Sequence, residues 1–381
     1  MKILVLASNI SNEAGGYAES SFLLRECLNK IKNNVAYLFG YWNSNNLDLN
    51  YRLSYKINIF KNYFLKKFPI NFFVLNKIKE LKPDIIDIQG LWNSGSIFNL
   101  IYFFREKKPF IITTRGMLDG WSIKKSFIKK ILYYFFVERF SIKNAFCLRA
   151  TSQLEALNLK KFGFKNWIVN VPNGIKIPRI NLKYKRKLKK KYTLLFLSRL
   201  SKKKGIKYIL QAWKEIYMKY PRWKLVICGH DENNEKSRLV RLANDLELQR
   251  LEWKEPVFGN EKKILYQSSD IFILPSESEN FGLVVAEALA HGVPVITTKN
   301  TPWKDLKKYK CGWHIKLDLK QIIKTLEYSI NLSPKIRFLM GQRGRKWVKK
   351  VYSENEVGLR MSRVYKWALK KGPIPRDLIV S

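Results

Sequence analysis

Short apolar runs alternate with longer amphipathic segments through both halves of the chain. Residues 3–8, 35–39, 85–89 and 110–114 are apolar stretches flanked by polar residues or proline, and each reads as a buried strand. Residues 17–31 carry apolar side chains at helical spacing. Residues 122–144 read as one long amphipathic helix, and residues 147–151 and 168–171 as closing strands. Strands alternating with helices predict a parallel α/β sheet with right-handed crossovers.

Pro172, Asn173 and Gly174 then give a turn signal, followed by a basic linker at residues 183–191 with almost no core residues. The alternation restarts beyond it, with strands at 193–197, 223–228, 271–274 and 293–297 and helices at 207–220 and 235–246. The basic stretch 336–371 reads as further helices. The expectation is two successive α/β domains, residues 1–175 and 176–354, with a C-terminal helix at about 355–381.

A chain of 381 residues is long enough for two full cores, and 46% hydrophobic with 27% charged residues is a globular composition. No apolar run approaches the roughly 18 residues needed to span a bilayer. The opening apolar run is too short for a signal-peptide core. Cys27, Cys147, Cys228 and Cys311 are scattered without metal-like spacing and read as reduced thiols of a cytoplasmic protein. No Asp-x-Asp or His/Cys/carboxylate cluster suggests a metal site, so metal-independent chemistry without a cofactor is expected. Asp84 and Asp87 read as strand boundaries.

The net charge of +42 suits a polyanionic partner, although a compositional bias towards Lys, Asn and Ile also supplies it. Residues 122–144 interleave Lys124, Lys125, Lys129 and Lys130 with Phe127, Tyr133, Tyr134, Phe135 and Phe136, and residues 55–73 repeat that chemistry. The mixture suits the headgroup boundary of an anionic membrane. No nucleic-acid motif is visible, and no specific nucleic acid is expected as a partner.

The most informative stretch is 276–298, SESENFGLVVAEALAHGVPVITT. Glu279 stands just before a short helix and Glu287 lies inside it, roughly 8–10 Å away at about 1.5 Å per residue. Asn280, Phe281 and Gly282 form the turn that opens the helix, so free backbone N–H groups at its start, through Leu283, can face an anion. Two carboxylates flanking an anion site suit a ligand with hydroxyls at both ends and phosphate between, which describes a nucleotide sugar. Upstream, the strand at 193–197 feeds Ser198, Arg199 and a lysine run ending at Lys204, where a guanidinium fork and an ammonium suit a diphosphate. Gly229 ends another strand and precedes His230, and His291 stands at the helix C-terminus before Gly292. Gly15 and Gly16 sit between the first strand and the first helix, where paired glycines let backbone approach a ligand. Arg115 and Gly116 follow the strand at 110–114.

The spacing of Glu279 and Glu287, with Ser276, Phe281, Gly282, Ala288, Gly292, Pro294 and Val295, resembles the signature of retaining GT-B glycosyltransferases, in particular the large GT4-like family. The resemblance implies a GT-B fold, two Rossmann-like domains facing each other across a cleft, with the last helix crossing back to the first domain. It implies a donor in the C-terminal domain, a UDP-sugar ahead of a GDP-sugar, and an acceptor in the N-terminal domain. Arg199 and Lys204 would neutralise the diphosphate, Glu279 would hold sugar hydroxyls and Glu287 the ribose. Gly15 and Gly16 would lie against the donor phosphate, with Gly229, Asn280, Phe281, Gly282 and Leu283 completing the donor site. Many relatives carry a histidine near residue 115. Here Thr114-Arg115-Gly116-Met117-Leu118 resembles an Arg-Gly-Met-Leu subgroup instead, so Arg115, Gly116 and Asn173 become the acceptor or cleft residues. The expected activity is hexosyl transfer with retained configuration to a lipid-linked or glycan acceptor in cell-surface polysaccharide assembly (lipopolysaccharide, O-antigen or capsule). The expected location is the cytoplasmic face of the cell membrane. The alternatives are a polyanion- or membrane-binding protein on the same scaffold and a nucleotide-sugar epimerase. A phosphorylase would need a pyridoxal phosphate lysine motif, which is not seen.

Overall fold

The computed structural model describes residues 1–8, 10, 15–40, 72–92, 103–118, 127–180 and 190–380. Residues 12–14 of the glycine loop, 55–71, 119–126 and 183–189 lie outside the described residues. The chain divides into two compact units, Met1–Ile175 with Glu354–Ser381, and Lys176–Ser353.

The first unit holds β1 (Lys2–Ala7), α1 (Gly16–Asn29), β2 (Val35–Gly40), α2 (Phe72–Leu81), β3 (Ile85–Gln89), β4 (Phe110–Thr113), α3 (Phe127–Tyr133), α4 (Arg139–Asn144), β5 (Cys147–Ala150), α5 (Gln153–Lys161) and β6 (Trp167–Asn170). The six strands form one parallel sheet in the order β2-β1-β3-β4-β5-β6. Their near-continuous apolar sequences follow from burial on both faces. One face packs on α1 and on a helix from the far end of the chain, Glu354–Ala368. That helix brings Val357, Met361, Val364, Tyr365 and Trp367 into the core around Phe22 and Leu24. The two helices approach so closely that a Cβ at Gly358 would fall 2.8 Å from that of Cys27. Lys30 forms an ion pair with Glu354, and the Glu354 N–H donates to Ile175 O at 3.1 Å where the two chain segments meet.

Two expectations need correction. Asp87 is not a strand boundary. It lies inside β3, fully buried, and accepts hydrogen bonds from Gln89 Nε2 (2.6 Å), Thr113 Oγ1 (3.0 Å) and Tyr365 OH (2.6 Å). Burial pushes its carboxyl above the ordinary range, against the opposing pull of the Arg149 charge and of the Tyr365 and Thr113 hydrogen bonds. Over residues 127–144 the run is not one α-helix either, since a π-turn at Tyr134–Glu138 separates α3 from α4. The wider turn accommodates Glu138, which is buried and accepts the Trp92 N–H at 2.5 Å, while Phe135, Phe136 and Phe140 are 56%, 76% and 51% exposed.

The second unit holds β7 (Tyr192–Leu197), α6 (Ile206–Ile216), β8 (Trp223–Cys228), α7 (Glu235–Asp245), β9 (Leu251–Lys254), α8 (Gly259–Ser268), β10 (Ile271–Leu274), α9 (Leu283–Ala290), β11 (Val295–Thr298), β12 (Gly312–Ile315), α10 (Leu319–Asn331) and α11 (Pro334–Tyr352). Its sheet is also parallel, in the order β12-β11-β10-β7-β8-β9. The chain then re-enters the first unit through α12 (Glu354–Ala368), the helix already described. In the second unit α11 fixes the seat of α9: a Cβ at Gly341 would fall 1.8 Å from Gly292 O, and one at Gly344 would fall 2.7 Å from Leu289. Among the described residues no helix is long and apolar enough to cross a membrane.

Candidate functional site

In the second unit the loops after β7 and β10 leave the carboxyl ends of adjacent strands, where open α/β sheets place their ligands. The two loops are joined as one piece. Glu277 N–H donates to Lys203 O at 2.8 Å. Gly205 takes φ +67, and a Cβ there would fall 2.2 Å from Pro275 O, so no other residue fits the junction.

This junction puts Lys204 and Glu279 into a nearly buried ion pair, with Ser276 Oγ donating to the same Glu279 oxygen at 2.9 Å. Burial alone would raise the Glu279 carboxyl. The Lys204 charge, its hydrogen bond and that of Ser276 outweigh burial and hold the carboxyl below its ordinary range. Arg199 is placed differently. Its side chain is 50% exposed and pairs with Glu232 at 2.9 Å. Gly229 directly follows β8, where a Cβ would fall 1.7 Å from Ser198 O, which gives this glycine a packing reason. His230 is exposed.

Glu279 leads through Asn280, Phe281 and Gly282 into α9. Gly282 has φ +74 and serves as the N-cap without a side-chain cap. Among the described residues no acceptor takes the N–H of Gly282 or Leu283, so the helix start keeps donors and the positive end of its dipole for an anion. About one turn into α9, Glu287 is held at both carboxylate oxygens, by Lys262 Nζ at 2.6 Å and Tyr266 OH at 2.8 Å. His291 closes α9, donates through Nδ1–H to Glu287 O at 2.8 Å, and stacks on Tyr266 with ring centroids 4.9 Å apart. Lys262 and Tyr266 were not singled out in the sequence. They stand four apart on α8, and that shared face is the signal that finds them once Glu287 is known to face α8.

The remaining candidates gather in the first unit. Gly15 is the N-cap of α1, with Gly16 its first residue and no side-chain cap. From the same helix Ser20 and Ser21 accept hydrogen bonds from the Arg115 guanidinium, which also donates to Gln89 and, at 3.1 Å, to Asn173 Oδ1. The guanidinium stands 5.4 Å from the centroid of the Tyr17 ring. All four hydrogen-bonding partners are neutral. Burial, with the neighbouring Arg149 charge, lowers the Arg115 pKa to about 10. The turn that carries Arg115 is fastened from below by Glu155, which was not anticipated. The buried Glu155 carboxylate accepts from Thr114 Oγ1 (2.6 Å), Gly116 N–H (2.5 Å), Thr151 N–H (2.7 Å) and Thr151 Oγ1 (3.0 Å). The structure thus brings Gly15, Gly16, Arg115, Gly116 and Asn173 together in one unit, and Arg199, Lys204, Gly229, Glu279, Asn280, Phe281, Gly282, Leu283 and Glu287 in the other.

Residues 179–347 match the family of glycosyl transferases group 1. An uncharacterized glycosyltransferase of Haemophilus influenzae is 33% identical over 156 residues, 40% of this chain and 43% of that protein, so the chain spans less than half of that relative. The capsular polysaccharide biosynthesis glycosyltransferase CapM of Staphylococcus aureus is 25% identical over 336 residues, 78% of this chain and 87% of CapM. Among solved structures, Anabaena HepE in complex with UDP and glucose superposes with a TM-score of 0.77 at 15% identity, over 96% of this chain and 100% of HepE. At that identity the likeness is one of fold. The match to the group 1 glycosyl transferases thus lies within residues 179–347, and the two parallel α/β sheets of the chain have the GT-B fold.

Proposed function

We propose that this protein transfers a hexose or hexose derivative from a nucleoside diphosphate sugar to an acceptor hydroxyl with retention of configuration. The observation that carries the reading is the joined loop pair, in which the Lys204–Glu279 ion pair flanks the unengaged N–H groups of α9 and Glu287 stands about one turn behind. Lys204 and the start of α9 bind the diphosphate, with Arg199 released from Glu232 to join them. Glu279 receives the sugar hydroxyls and Glu287 the ribose. The bond between the anomeric carbon and the phosphate oxygen breaks, and the new bond to the acceptor oxygen forms on the same face. The acceptor proton passes to the departing phosphate oxygen, so no protein base is required. The cations stabilise the charge that develops on the leaving diphosphate. A UDP-sugar is favoured over a GDP-sugar, since HepE, which shares the fold, is described in complex with UDP and glucose.

The acceptor is a lipid-linked saccharide or other glycan in cell-surface polysaccharide assembly, a reading supported by the likeness to CapM. Arg115 and Asn173, with the start of α1, form the polar surface that receives it. The exposed Phe135, Phe136 and Phe140 beside Lys130, Arg139 and Lys143 suit contact with an anionic membrane surface. The protein works there as a peripheral protein on the cytoplasmic face.

A thermal-shift panel of UDP, GDP, ADP and CMP with their sugar conjugates tests the donor site. The expected result is stabilisation by one nucleotide family, lost in Glu287→Ala. No shift in folded protein overturns the reading. Free nucleoside diphosphate appearing only when acceptor is added separates transfer from epimerisation. Flotation with anionic vesicles at low salt tests the membrane contact, and protein left at the bottom of the gradient counts against it.

A further inference from the structure

The last residue of β11 and the segment after it lie against the donor loop and are bonded to it at three points. Thr298 Oγ1 donates to Ser276 O at 2.6 Å, Glu279 N–H donates to Asn300 O at 3.2 Å, and Trp303 Nε1–H donates to Phe281 O at 2.6 Å. Trp303 is 1% exposed. Its indole packs against Phe281 (5.5 Å between ring centroids), Tyr352 (5.3 Å) and Trp347 (5.7 Å), and Trp347 in turn stacks on Tyr309 at 4.5 Å.

The bond to Phe281 O has a directional consequence. The Phe281–Gly282 peptide is trans, as no cis peptide occurs among the described residues, so its C=O and N–H point in opposite directions. A carbonyl held on the Trp303 side turns the Gly282 N–H to the other side, and Gly282, at φ +74, leads directly into α9. The fit leaves no slack: a Cβ at residue 282 would lie 3.4 Å from Trp303 Nε1. An indole N–H only donates, and when buried it needs an acceptor. Held by aromatic neighbours on several sides, this donor keeps Phe281 O in one orientation.

We propose that Trp303 is a positioning residue of the donor site, whose indole N–H fixes the Phe281–Gly282 peptide so that the first N–H groups of α9 face the diphosphate of the donor. The proposal deepens the donor reading above and rests on it. A simple packing role for Trp303 would support the whole unit equally. A positioning role acts on the phosphate furthest from the nucleoside, because the nucleoside end is held separately at Glu287.

The test compares binding of UDP with UMP, and of GDP with GMP, by titration calorimetry, in wild type, Trp303→Phe and Trp347→Phe. Trp347→Phe perturbs the same aromatic cluster without touching Phe281. In Trp303→Phe, the diphosphate is expected to bind about tenfold more weakly, the size of one charge-assisted hydrogen bond, while the monophosphate is unchanged. Trp347→Phe is expected to keep the wild-type ratio of diphosphate to monophosphate affinity, whatever it does to melting temperature. An unchanged ratio in folded Trp303→Phe, or equal losses for both ligands, overturns the proposal. A wild-type protein that binds none of the four nucleotides overturns the donor reading itself. The indole N–H resonance of Trp303 in wild-type protein gives a readout that does not depend on a variant folding. It should shift with the diphosphate and not with the monophosphate, and a resonance unmoved by both overturns the positioning role.

Discussion

The ammonium of Lys262 sits 2.6 Å from Oε1 of Glu287, so the carboxylate read as the ribose holder is already engaged by a cation from α8. Tyr266 from the same helix takes the other oxygen. The pair is largely shielded, with 18% of the Lys262 and 11% of the Glu287 side chain exposed. Lys262→Met is expected to lower the stability of the second unit by about 1–3 kcal/mol, because a shielded carboxylate loses a charged donor. Chemical denaturation followed by tryptophan fluorescence measures it. A variant within about 0.5 kcal/mol of wild type would show that Glu287 is better solvated than its contacts suggest.

The two cations of the loop after β7 differ in setting, and their removal should differ in kind. Arg199 is half exposed and its partner Glu232 is also accessible, so Arg199→Ala should change stability by less than about 1 kcal/mol. Turnover should nevertheless fall by about 100-fold or more if the guanidinium stabilises the leaving diphosphate. Lys204→Ala should reduce both, since it leaves Glu279 charged and shielded without its partner, at a cost of about 3–5 kcal/mol. Parallel measurement of melting temperature and initial rate separates the two patterns.

The same pair sets a pH dependence. The Glu279 carboxyl is held below its ordinary value of 4.5 when folded. A depressed folded pKa contributes stability that is complete above the unfolded value and is lost as pH falls through the folded one. In Lys204→Met burial is the larger influence, so the carboxyl rises and the contribution turns unfavourable as pH increases. The stability gap between wild type and Lys204→Met should therefore widen from about pH 3 to about pH 6 and then level off. Unfolding free energies across that range provide the check, and a constant gap would deny the coupling.

In the first unit Tyr365 of α12 donates to Asp87 Oδ2 at 2.6 Å, the one bond among those to Asp87 that comes from the far end of the chain. Tyr365→Phe keeps the ring and removes the donor. It should cost about 1–3 kcal/mol and raise hydrogen exchange in α12 more than in α9. Equal exchange in both helices would show that α12 is held by its apolar face alone.

The strands at 3–8 and 271–274 were legible because a strand covered on both faces is a nearly continuous apolar run. β9 (Leu251–Lys254) and β12 (Gly312–Ile315) escaped notice because they are edge strands, mostly half-buried, with polar residues in the run. Glu279 and Glu287 were found by spacing along one segment. The Glu287 partners Lys262 and Tyr266 come from α8, and Trp303, which holds Phe281 O, comes from the segment after β11, so only the folded sheet brings them near. Asp87 was misread because a lone carboxylate in an apolar run ordinarily marks an end, and one of the three donors that satisfy it here lies 278 positions away. Glu155 had a local sign, Ser152 three residues ahead of it as a helix cap, but nothing in that sign pointed to the Arg115 turn.

The return of residues 354–368 to the first unit has a consequence for biosynthesis. Unit 2 is one uninterrupted stretch of chain, whereas the first sheet lacks a covering helix until α12 has been made. During translation the second unit is therefore complete while Val5, Phe22 and the Asp87 carboxylate still await their last neighbours. The half of the protein that leaves the ribosome first is the half that finishes folding last, and until then its apolar face is the one a chaperone would need to cover.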